Sequence, residues 1–386
     1  MTHRRRHAAA AGALLLALVP ATLQAQDATD ERIAPTDEVL VADATPDPEL
    51  PTERSELVEV RTLEEQREVE FVIGPVELTS GMAHLRLPIQ MAEFPVDGWI
   101  QGFEVEMRDG AGEPVPMDLL HHVNFIDPDK RELFSPIARR VMAAGRETAT
   151  VRLPGIIGYP IADGDRMLIA AMFANPLEED YPDARLVVRF FYSAETDGFI
   201  QPRNVFPFYL DVMGPIGPKD FPVPPGNTVK AWEGRPAVDG RILAISGHLH
   251  DYATRLALID VTEDETLWEV EPEGTDDGHV TGVPTDEFLW TLGKKIRADH
   301  TYRIEVEYEN PLDTAAPDGG MGAIGGVVWV GKGVEWPEFD RTDERYLTDL
   351  ENTLTAPERM HGHGHGGMSA TGDMHGMPED DGGHGH

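Results

Sequence analysis

The sequence predicts an all-β protein, two β-sandwich domains in tandem followed by a separate histidine- and methionine-rich tail. Three observations predict it. Strand-like runs are short, recur through most of the chain and are broken by Gly, Pro and Asp. A Pro- and Gly-dense stretch, GPIGPKDFPVPPG at residues 214–226, divides those runs into two groups. Each group ends in a similar segment, so the halves read as a repeat.

Residues 1–25 have the three parts of an export signal: Arg4, Arg5 and Arg6, an apolar run from Ala8 to Val19, and small residues at Ala21 and Ala25, with cleavage expected after Ala25. The apolar run is too short to span a membrane, and no other stretch matches it without charges. The expectation is an exported protein, periplasmic or secreted, without stable membrane insertion; an uncleaved N-terminal anchor is the alternative. The chain contains no cysteine, so disulfides and cysteine-linked lipid are excluded and stability must come from burial. Residues 26–68, rich in Asp, Glu, Pro and Thr, read as a flexible acidic leader.

The first domain is placed at 69–213, with strand character at His84–Met91, Trp99–Arg108, Thr148–Leu153, Met167–Ala174 and Arg185–Tyr192. A linker is placed at 214–227 and the second domain at 228–340, with strands at Arg241–Ser246, Ala253–Asp260, Tyr302–Tyr308 and Ala323–Val330. Helix signals are few: one at Asp129–Ala144 and a polar one near Thr342–Leu354, assigned to a segment 341–359. Residues 360–386 read as a disordered, low-complexity tail.

The repeat appears when Gly158–Asp183 is set above Gly293–Asp318, an offset of 135 (293 minus 158). Ile161/Ile296, Ile169/Ile304, Asn175/Asn310, Pro176/Pro311, Leu177/Leu312 and Pro182/Pro317 are identical. Upstream, His121-His122 precedes His248 and His250 by 127 and 128 residues, so each half has a histidine pair, then a strand ending in Asn-Pro-Leu.

The formal net charge is −37, from 69 acidic and 32 basic residues, a field that repels nucleic acid and anionic membrane and draws cations. No Gly-x-Ser-x-Gly elbow, phosphate loop or His-Glu-x-x-His is present. Histidines carry the remaining signal. His248 and His250, two apart on a strand, reach the same face and so one ion; two surface histidines on an edge strand are the alternative. His121 and His122 are neighbours and would face opposite ways unless a bulge, a twist or a strand end intervenes. Met321, in Gly319-Gly320-Met321-Gly322, offers a thioether, a soft donor suited to copper(I), with glycines that permit close backbone approach; core filler is the alternative. The tail adds His361, His363, His365, His375, His384 and His386 with four methionines, a set that binds copper, zinc or nickel.

Met117-Asp118-Leu119-Leu120-His121-His122 resembles the Met-Asp-x-x-His-His motif of the copper type II, ascorbate-dependent monooxygenases, the family of peptidylglycine alpha-hydroxylating monooxygenase and dopamine beta-monooxygenase. His248-Leu249-His250 and Met321 are similar in order and spacing to that family's second copper motif, and the likeness spans about Val69–Val330. The resemblance implies two tandem jelly-roll sandwiches with one copper each. His248, His250 and Met321 would hold the oxygen-binding, catalytic copper. His121 and His122 would hold the electron-transfer copper, with ascorbate or another reductant supplying electrons for hydroxylation of a C–H bond in a small molecule or peptide. The chain departs from the family in having no disulfides and no third first-site histidine in Leu168–Asn175; His84, on another strand run, is the substitute considered. A non-catalytic copper storage or delivery protein is the second reading, and a structural β-protein with a metal-buffering tail the third.

Overall fold

Alternation of apolar and polar residues builds the long strands: along Tyr302–Asn310 every second side chain is buried. The computed structural model describes residues 50 and 54–360, other than 147, 149, 199, 200, 218, 318 and 339. The signal segment, most of the leader and the tail histidines lie outside the described residues.

In chain order the first strands are β1 (Val58–Leu63), β2 (Glu68–Leu78), β3 (Met82–Arg86), β4 (Gln90–Glu93), β5 (Gly98–Arg108), β6 (Leu120–Arg131), β7 (Ala138–Gly145), β8 (Ile157–Ile161), β9 (Arg166–Asn175) and β10 (Tyr181–Ser193). One sheet runs β1-β2-β10-β5-β8; the other runs β3-β9-β6-β7, with β4 also on β9. There follow β11 (Phe206–Asp211), β12 (Gly226–Gly234), β13 (Gly240–Leu249), β14 (Ala253–Asp260), β15 (Glu265–Val270), β16 (Lys294–Ile296), β17 (Tyr302–Asn310) and β18 (Gly322–Val330). These form β11-β18-β13, with β16 on β13, and β12-β17-β14-β15. Strand for strand, β2-β10-β5-β8 is matched by β11-β18-β13-β16, and β3-β9-β6-β7 by β12-β17-β14-β15. The fold is all-β, two jelly-roll sandwiches in tandem.

The repeat recurs atom for atom at its two asparagines. Asn175 donates to the carbonyls of Leu78 (2.9 Å) and Glu179 (2.8 Å) and accepts from the Leu177 amide (3.1 Å). Asn310 donates to Val223 (2.9 Å) and Thr314 (2.9 Å) and accepts from Leu312 (3.0 Å). Both are buried, and each closes the turn after its strand while satisfying three backbone groups.

Several expectations are corrected. Val58–Leu63, read as flexible leader, pairs with β2. Asp129–Ala144 is not a helix but the end of β6, a connection and β7. Pro136 lies in its middle, where a helix would clash and lose a hydrogen bond. The connection's Leu133 and Phe134 are buried in the second sandwich's core, so this hairpin of the first sandwich plugs the other. The chain enters the second sandwich before the Pro/Gly run, since β11 pairs with β18. The run itself is built into that sandwich: Phe221 and Val223 are buried in its core, and Phe221 bridges to Gly320.

The polar helix forms as α1 (Glu344–Met360). Tyr346 and Leu350, one turn apart, pack on Met91, Ile126, Ala138 and Leu168, on the outer face of the β3-β9-β6-β7 sheet. Asp349 joins them with a two-pronged ion pair to Arg140 (2.8 and 2.6 Å).

Candidate metal centre

Leu120 and Val123 are both fully buried in the first core. On a regular strand, residues three apart face opposite ways. Here they face the same way because the ladder with β9 pairs Met172 with His122 and Phe173 with Leu120, leaving His121 as an extra residue. The bulge turns both imidazoles to the outer face, the condition the sequence set for His121 and His122 to act together.

The two Nδ1 atoms stand 2.8 Å apart. At a metal–nitrogen length of about 2.0–2.1 Å, that separation subtends roughly 85–90° at an ion, an angle suited to tetragonal copper(II). Without an ion, one ring donates an N–H to the other. Burial, then the charges of His84, His250 and His248, hold His121 down at about 4; burial, then His121, hold His122 at about 3. Both rings are therefore neutral near pH 7, the form in which imidazole ligates.

A third imidazole joins from β3: the His84 ring lies 5.0 Å from that of His121, and His121 lies 4.8 Å from His122, both edge-on. The strand between them carries no histidine, but Met172 pairs across it with both Arg86 and His122. Directly opposed residues share a face, so a thioether accompanies His122. The sequence offers His84 only as a substitute and gives Met172 no signal. The bulge, invisible in sequence, is what brings these residues into one neighbourhood.

In the second sandwich, Ile245 and Leu249 point into the core, so His248 and His250 face away from it. Their rings lie 5.4 Å apart at 90°. β13 and β18 pair His248 with Ala323 and Leu249 with Gly322, a register that sets His250 opposite Met321 one step on. The buried Tyr308 hydroxyl accepts N–H bonds from Met321 (2.9 Å) and His250 (3.2 Å) and donates to the Met321 carbonyl. The glycines beside Met321 serve packing. A Cβ on Gly320 would meet the Phe221 ring at 2.7 Å and Val223 at 2.6 Å, and Gly319 has φ +62°.

The histidine pairs are not counterparts within the repeat. β6 corresponds to β14, where the same bulge falls at Thr254, between Ala253↔Tyr308 and Arg255↔Glu307. Thr254 and Arg255 are therefore the partners of His121 and His122, and His248 and His250 lie at the end of the preceding strand. The offsets of 127 and 128, against 135 elsewhere, carried that signal.

The charges of His248 and His250 act on both His121 and His122, so the two sets lie within electrostatic reach of each other. Among the described residues, no three His, Asp or Glu side chains are already closed around a point that an ion would occupy. His300 is separate, its Nδ1 bonded to Asp260 at 2.7 Å, and His279 pairs with Asp251 at 2.9 Å.

No family model matches the chain, and no curated protein does. Among solved structures it is similar to PNGase F, a glycosylasparaginase from Flavobacterium meningosepticum, at 10% identity and a TM-score of 0.34, over 68% of this chain and 94% of that one. It is also similar to PNGF-II (9% identity, TM-score 0.33, 72% of this chain and 62% of that one). A third is a structure of the infectious bursal disease virus Gx strain (10% identity, TM-score 0.23, 77% and 79%).

Proposed function

We propose that the chain is an exported copper-binding protein built like the copper monooxygenases it resembles, hydroxylating a C–H bond with O₂ and a reductant such as ascorbate. The observation that carries the reading is the His121–His122 bulge, with its two Nδ1 atoms 2.8 Å apart. The donor set fits copper: imidazoles at the first site, two imidazoles and a thioether at the second, and no carboxylates among them of the kind that hold Mg²⁺ or Ca²⁺. His84, His121 and His122 would hold one copper, and His248, His250 and Met321 the other. Copper, when bound, supplies one-electron redox chemistry and O₂ activation; the chain's part is to present the imidazole and thioether donors from two sheets.

The second reading is a copper storage or delivery protein without catalysis. The absence of histidine from β9 and the tail's six histidines favour it. Copper content separates the readings, using a full-length variant with the six tail histidines and Met368, Met374 and Met377 changed to serine. Two copper ions kept per chain after dialysis, with ascorbate-dependent O₂ uptake and a hydroxylated product, support the enzyme. One ion, lost in His248→Ala, kept in His121→Ala and without O₂ uptake, supports the carrier. No retained copper overturns the enzyme and leaves only the tail as a metal site.

A further inference from the structure

We infer that Tyr308 is the positioning residue of the second site, fixing the strand carrying His250 against the strand carrying Met321 through one buried hydroxyl. The inference rests on the copper reading above.

The ladder between β13 and β18 ends at Leu249↔Gly322. The next pair, His250 and Met321, would supply two donors to one ion, and at that step both amides turn to Tyr308. A phenol oxygen has one proton and two lone pairs. Here the proton goes to the Met321 carbonyl and the lone pairs receive the Met321 and His250 amides, so the hydroxyl is saturated. Its ring is 1% exposed and meets Phe221 edge-on at 5.7 Å, so the oxygen is aimed from the opposite sheet by a fixed lever.

The repeat supplies the control. Tyr308 lies 135 residues after Phe173 (308 minus 173), the offset that aligns Asn310 with Asn175. Phe173 is equally buried in the same strand of the first sandwich. The fold therefore accepts a ring without a hydroxyl at this position. The hydroxyl occurs in the half where a His-x-His strand must be held beside a methionine.

The test is Tyr308→Phe in the full-length chain with the serine-substituted tail, compared with Tyr302→Phe. Tyr302 is on the same strand, is equally buried and accepts the Arg297 amide at 2.9 Å, so its variant loses a similar hydrogen bond away from the site. Copper(I) affinity is read by chelator competition and the sulfur ligand by X-ray absorption. Tyr308→Phe should weaken second-site copper 10- to 100-fold, the usual effect of removing a group that orients a ligand, with loss of the copper–sulfur signal. Tyr302→Phe should leave both unchanged at a comparable loss in Tm. Equal affinity in Tyr308→Phe and its parent, or an equal loss in Tyr302→Phe, overturns the inference while the copper reading stands; a parent without second-site copper overturns that reading and this inference with it. Should Tyr308→Phe not fold, hydrogen exchange in the parent decides: the His250 and Met321 amides should be protected, and exchange at unprotected rates overturns the inference.

Discussion

Deleting His121 separates the bulge from the fold. In the deletion, Leu120, His122 and Val123 become consecutive, and their in–out–in alternation suits a regular ladder: Leu120 stays opposite Phe173 and His122 opposite Met172. The extra residue now costs about 1–2 kcal/mol of backbone ordering without a ladder bond of its own. Its removal should leave stability within about 2 kcal/mol of the parent, the remainder being strain in the Met117–Leu119 turn. Copper should respond very differently. One imidazole of a pair with nitrogens 2.8 Å apart is lost, and first-site affinity should fall at least about 100-fold, roughly 2.7 kcal/mol. Urea denaturation and copper(I) competition on the serine-tail chain read the two quantities, with His121→Ala, which keeps the bulge, losing copper to the same degree. Unchanged copper affinity in the deletion would refute the paired-imidazole site; loss of folding would refute the claim that the bulge is a local, removable feature.

Other outcomes follow from the same packing. Burial lowers Lys219 to about 8, beside Asp211, and the fall from 10.5 corresponds to about 3 kcal/mol of penalty while the amine is charged. The unfolded chain binds the proton up to about pH 10.5 and the folded chain only up to about 8, so this penalty is full below pH 8 and relieved between 8 and 10.5. Lys219→Met should therefore be more stable than the parent at pH 7 in urea, with the gap closing by pH 10; a variant less stable at both would refute the assignment. Asp349→Ala removes the carboxylate partner of Arg140, whose side chain is 12% exposed, and should cost about 3–5 kcal/mol, with faster proteolysis of α1; a cost under 1 kcal/mol would place the pair in effective contact with solvent. Asn175→Ala and Asn310→Ala each orphan three backbone groups and should each cost about 2–3 kcal/mol by denaturant unfolding. Their costs should be additive within about 0.5 kcal/mol, since the sites lie in different sandwiches.

The sequence by itself determined the fold class, because two-residue alternation and turn residues act locally and leave a period in the chain. It also determined the repeat. The Asn-Pro-Leu turns recur because the asparagine side chain must satisfy the same three backbone groups in each half. That His248 and His250 share a face was legible for a similar reason, since spacing by two on a strand fixes it. Tertiary structure decided the rest. Whether His121 and His122 act together depends on a bulge that exists only when β6 is laid against β9, and His84 joins them only because β3 lies on the far side of β9. The segment 129–144 carried a helix signal; Pro136 and a second core waiting for Leu133 and Phe134 made it a hairpin. The Pro/Gly run read as a linker because composition reports backbone stiffness and says nothing of burial, while Phe221 and Val223 fill a core that reaches as far along the chain as Val328. Local chemistry writes itself into neighbouring residues; register and the docking of sheets are energies summed over residues far apart in the chain.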